Sequence, residues 1–446
     1  MKKRLLPILV LLIILFILAF RPLDMDLNQA IVLSALIVTV VSWVVGYPNK
    51  IIASVFLLIM FIIFGNTPAS RVLHFPLSPT FILIIFSFIF SQGIINSNLA
   101  SKLFLPFINR YARNINQFLI TMLVTVIIMV FTIPQSHSRI ILLSIVYLEY
   151  FNSIDLQKET RDVLMFSLFA FNIIVHVFFK RGDIVLNNGI LAVANVQMSE
   201  LEWMKNLLVP GFAMTVLGML LFKLAFRKEL KLFQAGELSH EKIDLNRDDK
   251  INLGIIILII LLWATESIHN LSPTLVLVAG TIAMYIRGII SFEDAKSVNI
   301  ELLFFLTAAF SIGNVMSESG IADKIFGNLT GLLGSEFNYT YILVIVLSSM
   351  ILRVFLGSSV TTMSVAIPTF ISLSEGMVEP EVIMFLVFTS ILTFYLLPFH
   401  NSLLAVGEGS FYTNEIVFRF GLYTILLTLV SIFCFFIPWW KLIGLF

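Results

Sequence analysis

FTIPQSHSRIILLSIVYLEY, residues 131–150, passes from an apolar run into Pro134-Gln135-Ser136-His137-Ser138-Arg139 and back into an apolar run, with no loop between. The flanks, 117–133 and 140–151, are otherwise almost free of charge. Inside hydrocarbon, irregular backbone persists only where protein or a water-filled cavity covers it. The polar cluster therefore reads as the tip of a re-entrant hairpin over about 117–151, facing a cavity. Arms of roughly 17 and 12 residues suit a hairpin better than two full crossings, which need about 20 each.

The rest of the chain supports a membrane setting. Of its 446 residues, 59% are hydrophobic and 12% charged, whereas a soluble chain carries about 45–50% apolar residues. The fold class is an all-α polytopic membrane protein. Hydropathy places further spans near 5–20, 28–46, 51–65, 79–97, 164–195 (interrupted) and 203–226, with a polar-faced segment near 104–114. A hydrophilic stretch, 227–250, precedes spans near 251–268, 272–287, 300–318, 340–356, 360–375, 381–413 (interrupted) and 416–437. Lys2, Lys3, Arg4, Lys50, Lys102, Arg110, Arg113 and the Lys and Arg residues of 227–250 fall on one side if 117–151 is re-entrant. By the positive-inside rule that side is the cytoplasm. The N-terminus is then cytoplasmic, the C-terminus external, and about eleven helices cross. MKKR followed by 5–20 lacks a small-x-small pattern before Arg21, so it is expected to stay as the first span.

Composition also excludes classes. A net charge of +1 without a basic tract gives no footing for nucleic acid, and the single cysteine, Cys434, excludes a disulfide framework or a cysteine metal site. His176 and His400 have no ligand at metal spacing. Neither a metal nor a cofactor is expected. A polysaccharide-assembly enzyme would need a large external loop bearing catalytic residues, and the longest loop is placed inside. An enzyme is therefore not expected.

The halves are weakly similar. LASKLF (99–104) aligns with IADKIF (321–326), 222 positions later, and the same offset carries Ser136 onto Ser358 in RVFLGSSVTTMSVAIPTF (353–370). EWMKNLLVPG (202–211) corresponds loosely to EIVFRFGLYT (415–424). The expected organisation is a first membrane repeat over 1–226, a cytoplasmic linker over 227–250, and a second repeat over 251–446 with its own hairpin at about 340–375. An odd number of crossings before the second repeat inverts it. Inverted repeats with broken helices are the architecture of secondary transporters.

Hairpin tips and unwound spans expose N–H groups that favour anions and carbonyls that favour cations. Gln135, Ser136, His137, Ser138, Ser358, Ser359 and Thr361 are the expected substrate-binding residues, and their hydroxyls suit either kind of ligand. The interrupted spans, FFKRGDIVLNNG (178–189) and LPFHNSLLAVGEG (397–409), add Asp183, Asn187 and Asn401 as cation ligands beside Ser136 and Ser358. Asp183 has the alternative role of neutralising Arg181. His137 is either a proton carrier or a donor closing the turn. Arg139 is an anion contact, a hairpin cap or a side chain that snorkels to the cytoplasmic face, and Arg353 reads as structural. A small anion beside Na⁺, held by two tips that face each other, is the expected ligand pair. Cation/proton antiport through Asp183 is the alternative.

LLWATESIHNLSP, FSIGNVMSESGIADKIF, SSVTTMSVAIP, EWMKNLLVPG and LPFHNSLLAVGEG together resemble the divalent anion:sodium symporter family, over nearly the whole chain from about residue 28. The resemblance implies two re-entrant hairpins, a homodimer built on scaffold helices, elevator movement of a transport domain, and uptake of di- or tricarboxylates or oxyanions. It also implies a Ser-Asn-Thr signature at each tip. Here the second reads Ser358-Ser359-Val360, and the first reads Pro134-Gln135-Ser136 or Ser136-His137-Ser138, without the asparagine. Na⁺ and H⁺ both stand as coupling ions.

Overall fold

A computed structural model describes residues 2–45, 47, 49–154, 156–234, 245–326, 336–356 and 359–446. Ser358, and 235–244 of the hydrophilic stretch, lie outside the described residues. The described chain is helical, with no strand of its own. Among the described residues six helices are long and apolar enough to cross a membrane: Pro79–Asn96, Ile115–Thr132, Lys158–Phe178, Glu200–Ala225, Ile300–Glu318 and Asn414–Ile443. Shorter apolar helices accompany them, among them Leu27–Trp43, Lys50–Phe64, Pro273–Ile286, Tyr339–Val354, Ser359–Leu373 and Pro380–Thr393.

The order of elements recurs at the offset seen in the sequence. Pro79–Asn96 is followed by Asn98 at φ 52° and the helix Leu99–Tyr111. Ile300–Glu318 is followed by Gly320 at φ 71° and the helix Ile321–Phe326. Asn98 and Gly320 stand 222 positions apart, each in the left-handed turn that only glycine and asparagine enter readily. Each set continues with a helix pair, Ile115–Thr132 with Ser136–Ser153 and Tyr339–Leu356 with Ser359–Leu373. A broken helix follows each pair.

In the first set one segment gains a structure and one boundary differs from the sequence reading. The polar-faced segment near 104–114 belongs to the helix Leu99–Tyr111, which tolerates Pro106. The second arm of the expected hairpin begins at Ser136 rather than near 140, and both arms have 18 residues, so they are not the short arms of about 17 and 12 that favoured a hairpin over full crossings. The Gln135 side chain accepts the Ser138 N–H at 2.7 Å, so the polar residues form a capped helix start and not a loop. Pro134 has no N–H to leave unpaired there.

Contacts divide the chain into two compact units, each drawing on both halves of the sequence. The first comprises 1–81, 189–196 and 299–391. In it Leu27–Val45, Lys50–Phe64, Ile300–Glu318 and Ser359–Leu373 pack together. Trp43 donates to Ser54 at 3.2 Å and meets the Phe305 ring edge-on at 4.6 Å. Tyr341 donates to the Leu373 carbonyl at 2.8 Å, tying the outer ends of the second helix pair together. Gly313 lets Ile300–Glu318 approach Ser359–Leu373. A Cβ at 313 would lie 2.8 Å from the Pro368 ring and 2.9 Å from the Ser364 carbonyl. Gly313→Ala is expected to destabilise by about 1–3 kcal/mol, read as a lower melting temperature in detergent. Gly254→Ala, where a Cβ would meet nothing within 4 Å, should not lower it. Equal melting temperatures for the two variants would refute the close crossing.

The second unit comprises 82–188, 197–298 and 392–446. Its centre is Lys158–Val175, buried continuously from Val163 to Val175. Ile115–Thr132, Ser136–Ser153 and Glu200–Ala225 pack around it. Phe166, Phe222, Phe226, Phe420 and Tyr412 form one aromatic cluster, with ring centroids 4.9–6.4 Å apart. Much of the phenylalanine content is therefore core packing. Tyr147 and Thr125 share a 2.7 Å hydrogen bond, and Phe118 stacks on Tyr150, so the first helix pair also folds back on itself.

Candidate functional site

The first polar break lies wholly within the second unit. Ile115–Thr132 ends at Thr132, and Ser136–Ser153 starts four residues later. Against this gap lies the break in the following span, where Lys158–Val175 gives way to short 3₁₀ turns, His176–Phe178 and Lys180–Asp183, before Ile184–Ala194. The Ile184 N–H donates to the Pro134 carbonyl at 3.2 Å, joining the two breaks directly.

Arg139 is the hub. It is 0% exposed, and its guanidinium spreads over both breaks. Nε donates to Asn172 Oδ1 at 2.7 Å, and Nη1 to the Ile133 carbonyl at 2.8 Å. Nη2 donates to Ser136 Oγ at 3.0 Å and to the Gly182 carbonyl at 2.8 Å. Ser136 is buried and donates its own hydroxyl to the Gly182 carbonyl at 3.2 Å. Gln135 is buried as the cap of its helix, while His137 and Ser138 are half-buried at the helix start. The structure thus brings Gln135, Ser136, His137 and Ser138 together, and couples Ser136 to Gly182.

The charged residues 180–183 belong to the break and not to an exposed loop. Arg181 and Asp183 are buried, and Lys180 Nζ donates to the Met198 carbonyl at 2.6 Å. Asp183 caps Ile184–Ala194, accepting the Leu186 N–H at 3.1 Å. Arg181 pairs with Glu200 at 3.3 Å, with both side chains under a tenth exposed, and its N–H also donates to Glu200 at 3.2 Å. Glu200 had no role in the sequence reading; its position two residues before EWMKNLLVPG was the available signal. Asn187 donates to the Phe179 carbonyl at 2.9 Å and the His176 carbonyl at 3.3 Å, holding the unwound turn in place. Its own Oδ1 is buried and accepts nothing, so an oxygen is left for a ligand. Gly182 is forced by space, since a Cβ there would lie 2.2 Å from the His176 carbonyl oxygen. Trp203 closes the base by donating to the Val177 carbonyl at 2.9 Å.

The second polar break lies in the first unit. Ser359 is half-buried at the start of Ser359–Leu373, and Thr361, Thr362 and Ser364 are buried along its first turns. Ser364 donates back to the Val360 carbonyl at 2.8 Å. Arg353 is fully buried in the preceding arm. Behind the break, Gly313, Ser317, Pro368, Thr369 and Ser372 line a small cavity.

The second interrupted span opens after Pro380–Thr393. In the second unit, Asn401 caps Ser402–Gly407 by accepting the Leu403 N–H at 3.0 Å, and His400 Nδ1 accepts the Leu396 N–H at 3.1 Å. Tyr395 and Thr424 exchange hydrogen bonds across the opening, at 3.3 and 3.0 Å. Among the described residues no group of three His, Cys, Asp or Glu side chains is placed to hold a metal.

The oxygens gathered at these breaks are carbonyls, hydroxyls and amides, which suit a hard monovalent cation, with the carboxylates of Asp183 and Glu200 beside the first. The helix starts at Ser136 and Ser359 offer N–H groups to an anion. A family model described as sodium:sulfate symporter transmembrane region matches residues 1–446. No curated protein matches the chain.

Proposed function

The chain belongs to the sodium:sulfate symporter family, and on that footing we propose that it moves a small anion, a di- or tricarboxylate or an inorganic oxyanion, driven by a Na⁺ or H⁺ gradient. Membership makes it a multi-pass membrane transporter rather than an enzyme, and it implies Na⁺-coupled anion symport. The observation that carries the finer reading is the paired interruption of apolar helices, once per set of elements, with buried hydroxyls at each. Gln135, Ser136, His137 and Ser138 bind the anion from the first helix start, and Ser358, Ser359 and Thr361 from the second. Ser136, Asp183, Asn187, Ser358 and Asn401 offer oxygens to the coupling ion, and the buried Oδ1 of Asn187 accepts no hydrogen bond that would compete. About eleven crossings, an inverted repeat, re-entrant hairpins, a cytoplasmic N-terminus, a homodimer and elevator movement complete the proposal.

Uptake into proteoliposomes tests it. Sulfate, a four-carbon dicarboxylate and citrate are offered under an imposed inward Na⁺ or H⁺ gradient. Accumulation of one of them above its equilibrium level is expected. Failure of all three anions, together with cation/proton exchange, would replace symport by antiport. Ser136→Ala should lower uptake about tenfold, the loss expected from one hydrogen bond to a charged ligand of about 1.5 kcal/mol. Wild-type uptake by that variant would remove Ser136 from the site.

A further inference from the structure

The oxygens around Arg139 form the kind of cluster that unwound helices offer to a monovalent cation, and the guanidinium already occupies it. The Ile133 carbonyl closes the C-terminal end of one helix, where the dipole is negative, and the Gly182 carbonyl comes from the unwound span. Ser136 Oγ and Asn172 Oδ1 complete the set. None of the four acceptors is a carboxylate. Among the described residues the only carboxylate acting on the guanidinium is that of Asp183, at a distance and without a hydrogen bond among those four. A fully buried charge whose direct partners are neutral oxygens is a costly arrangement in a membrane protein, where such groups mark ion pathways. It differs from Arg181, whose charge is met by Glu200. Broken transporter helices direct these same group types, end-of-helix and unwound carbonyls, at Na⁺.

We propose that the Arg139 guanidinium is a tethered cation that fills the monovalent-cation position of the first break, so that no exchangeable Na⁺ binds there. The inference rests on reading this break as a binding site. A second positive charge beside the guanidinium would be repelled strongly where the dielectric is low. The first break then carries its own cation, partly offset by Asp183, and any coupling ion must bind at oxygens other than these four, which withdraws Ser136 from the ion ligands proposed above. Removing the guanidinium should expose the oxygen cluster and create Na⁺ binding that the native chain lacks.

Cysteine protection reads this without substrate or gradient, so it separates from any failure of the transport reading. Cys434 is the single cysteine and is exposed. In a Cys434→Ser background, Ser138→Cys places a thiol at the half-buried helix start beside the cluster. Maleimide labelling is followed in detergent with Na⁺ or choline at constant ionic strength. With Arg139 present, Na⁺ is expected to leave the rate unchanged. With Arg139→Ala, Na⁺ should slow labelling, by about tenfold at ten times its dissociation constant. Slowing by Na⁺ while Arg139 is present would overturn the proposal, as would a folded Arg139→Ala variant indifferent to Na⁺. If Arg139→Ala is too unstable in choline to label, its melting temperature is measured with added Na⁺ or guanidinium. Restoration by either supports the proposal, and restoration by neither refutes it.

Discussion

Gly182→Ala is expected to abolish anion uptake and to leave little protein folded. The new Cβ would fall 2.2 Å from the His176 carbonyl oxygen and 2.7 Å from the His176 Cα. Both atoms are backbone, so no side chain can rotate away. The cost of such overpacking is about 3 kcal/mol or more. The damage is also local to the site, because the Gly182 carbonyl accepts from Arg139 and Ser136. Displacing it breaks the contact between the polar break and the unwound span. Size-exclusion profile and melting temperature in detergent, with uptake in proteoliposomes, measure the effect. A variant with wild-type stability and uptake would mean that the 3₁₀ turn at Lys180–Asp183 does not have this geometry.

The second large effect concerns the buried pair of Arg181 and Glu200. Arg181→Met leaves the Glu200 carboxylate under a tenth exposed without its guanidinium, a loss of about 3–5 kcal/mol. Glu200→Gln should cost less, since the amide oxygen still accepts the Arg181 N–H that now donates to the carboxylate. The double variant Arg181→Met with Glu200→Met should recover most of the loss, because two buried charges disappear together. Melting temperatures of Arg181→Met, Glu200→Met and this double variant, with the native chain, form a cycle that measures the coupling. Additive losses would show that the pair acts independently. Phe131 shares the position, its ring centroid 5.7 Å from the Arg181 guanidinium carbon, so a methionine has apolar surface to pack on.

These effects fall on residues whose importance was visible in different degrees. TIPQSHSR announced itself because six polar residues interrupt an apolar run, and hydropathy is a local property. KRGD stood out for the same reason. Asn172, inside the mostly apolar stretch 163–175, gave no signal, although it accepts from Arg139. Glu200 stood at the start of a span, where charge is ordinary, and only its burial beside Arg181 reveals a role. The start of the second hairpin arm was misplaced by a few residues, because Ser, His and Arg read as loop until the cap at Gln135 is seen. Ser138 and His137 were candidate ligands by composition. The structure places them half-buried on a helix start beside a guanidinium that composition could not locate.

Much was determined by the sequence alone: an all-helical membrane chain, its interruptions, the element order recurring 222 positions apart, and the family. The first two follow from the cost of exposing backbone or charge to hydrocarbon, a cost set residue by residue along the chain, while the recurrence and the family were carried by particular stretches such as IADKIF and SSVTTMSVAIP. The tertiary structure decided which partners the buried polar groups take. Arg139 could have faced an anion, capped its hairpin or reached for water, and all three fit the same eight residues. It caps the first helix of the pair at the Ile133 carbonyl and also binds oxygens at 136, 172 and 182. That choice depends on segments distant in sequence arriving within hydrogen-bonding distance, and packing alone settles it.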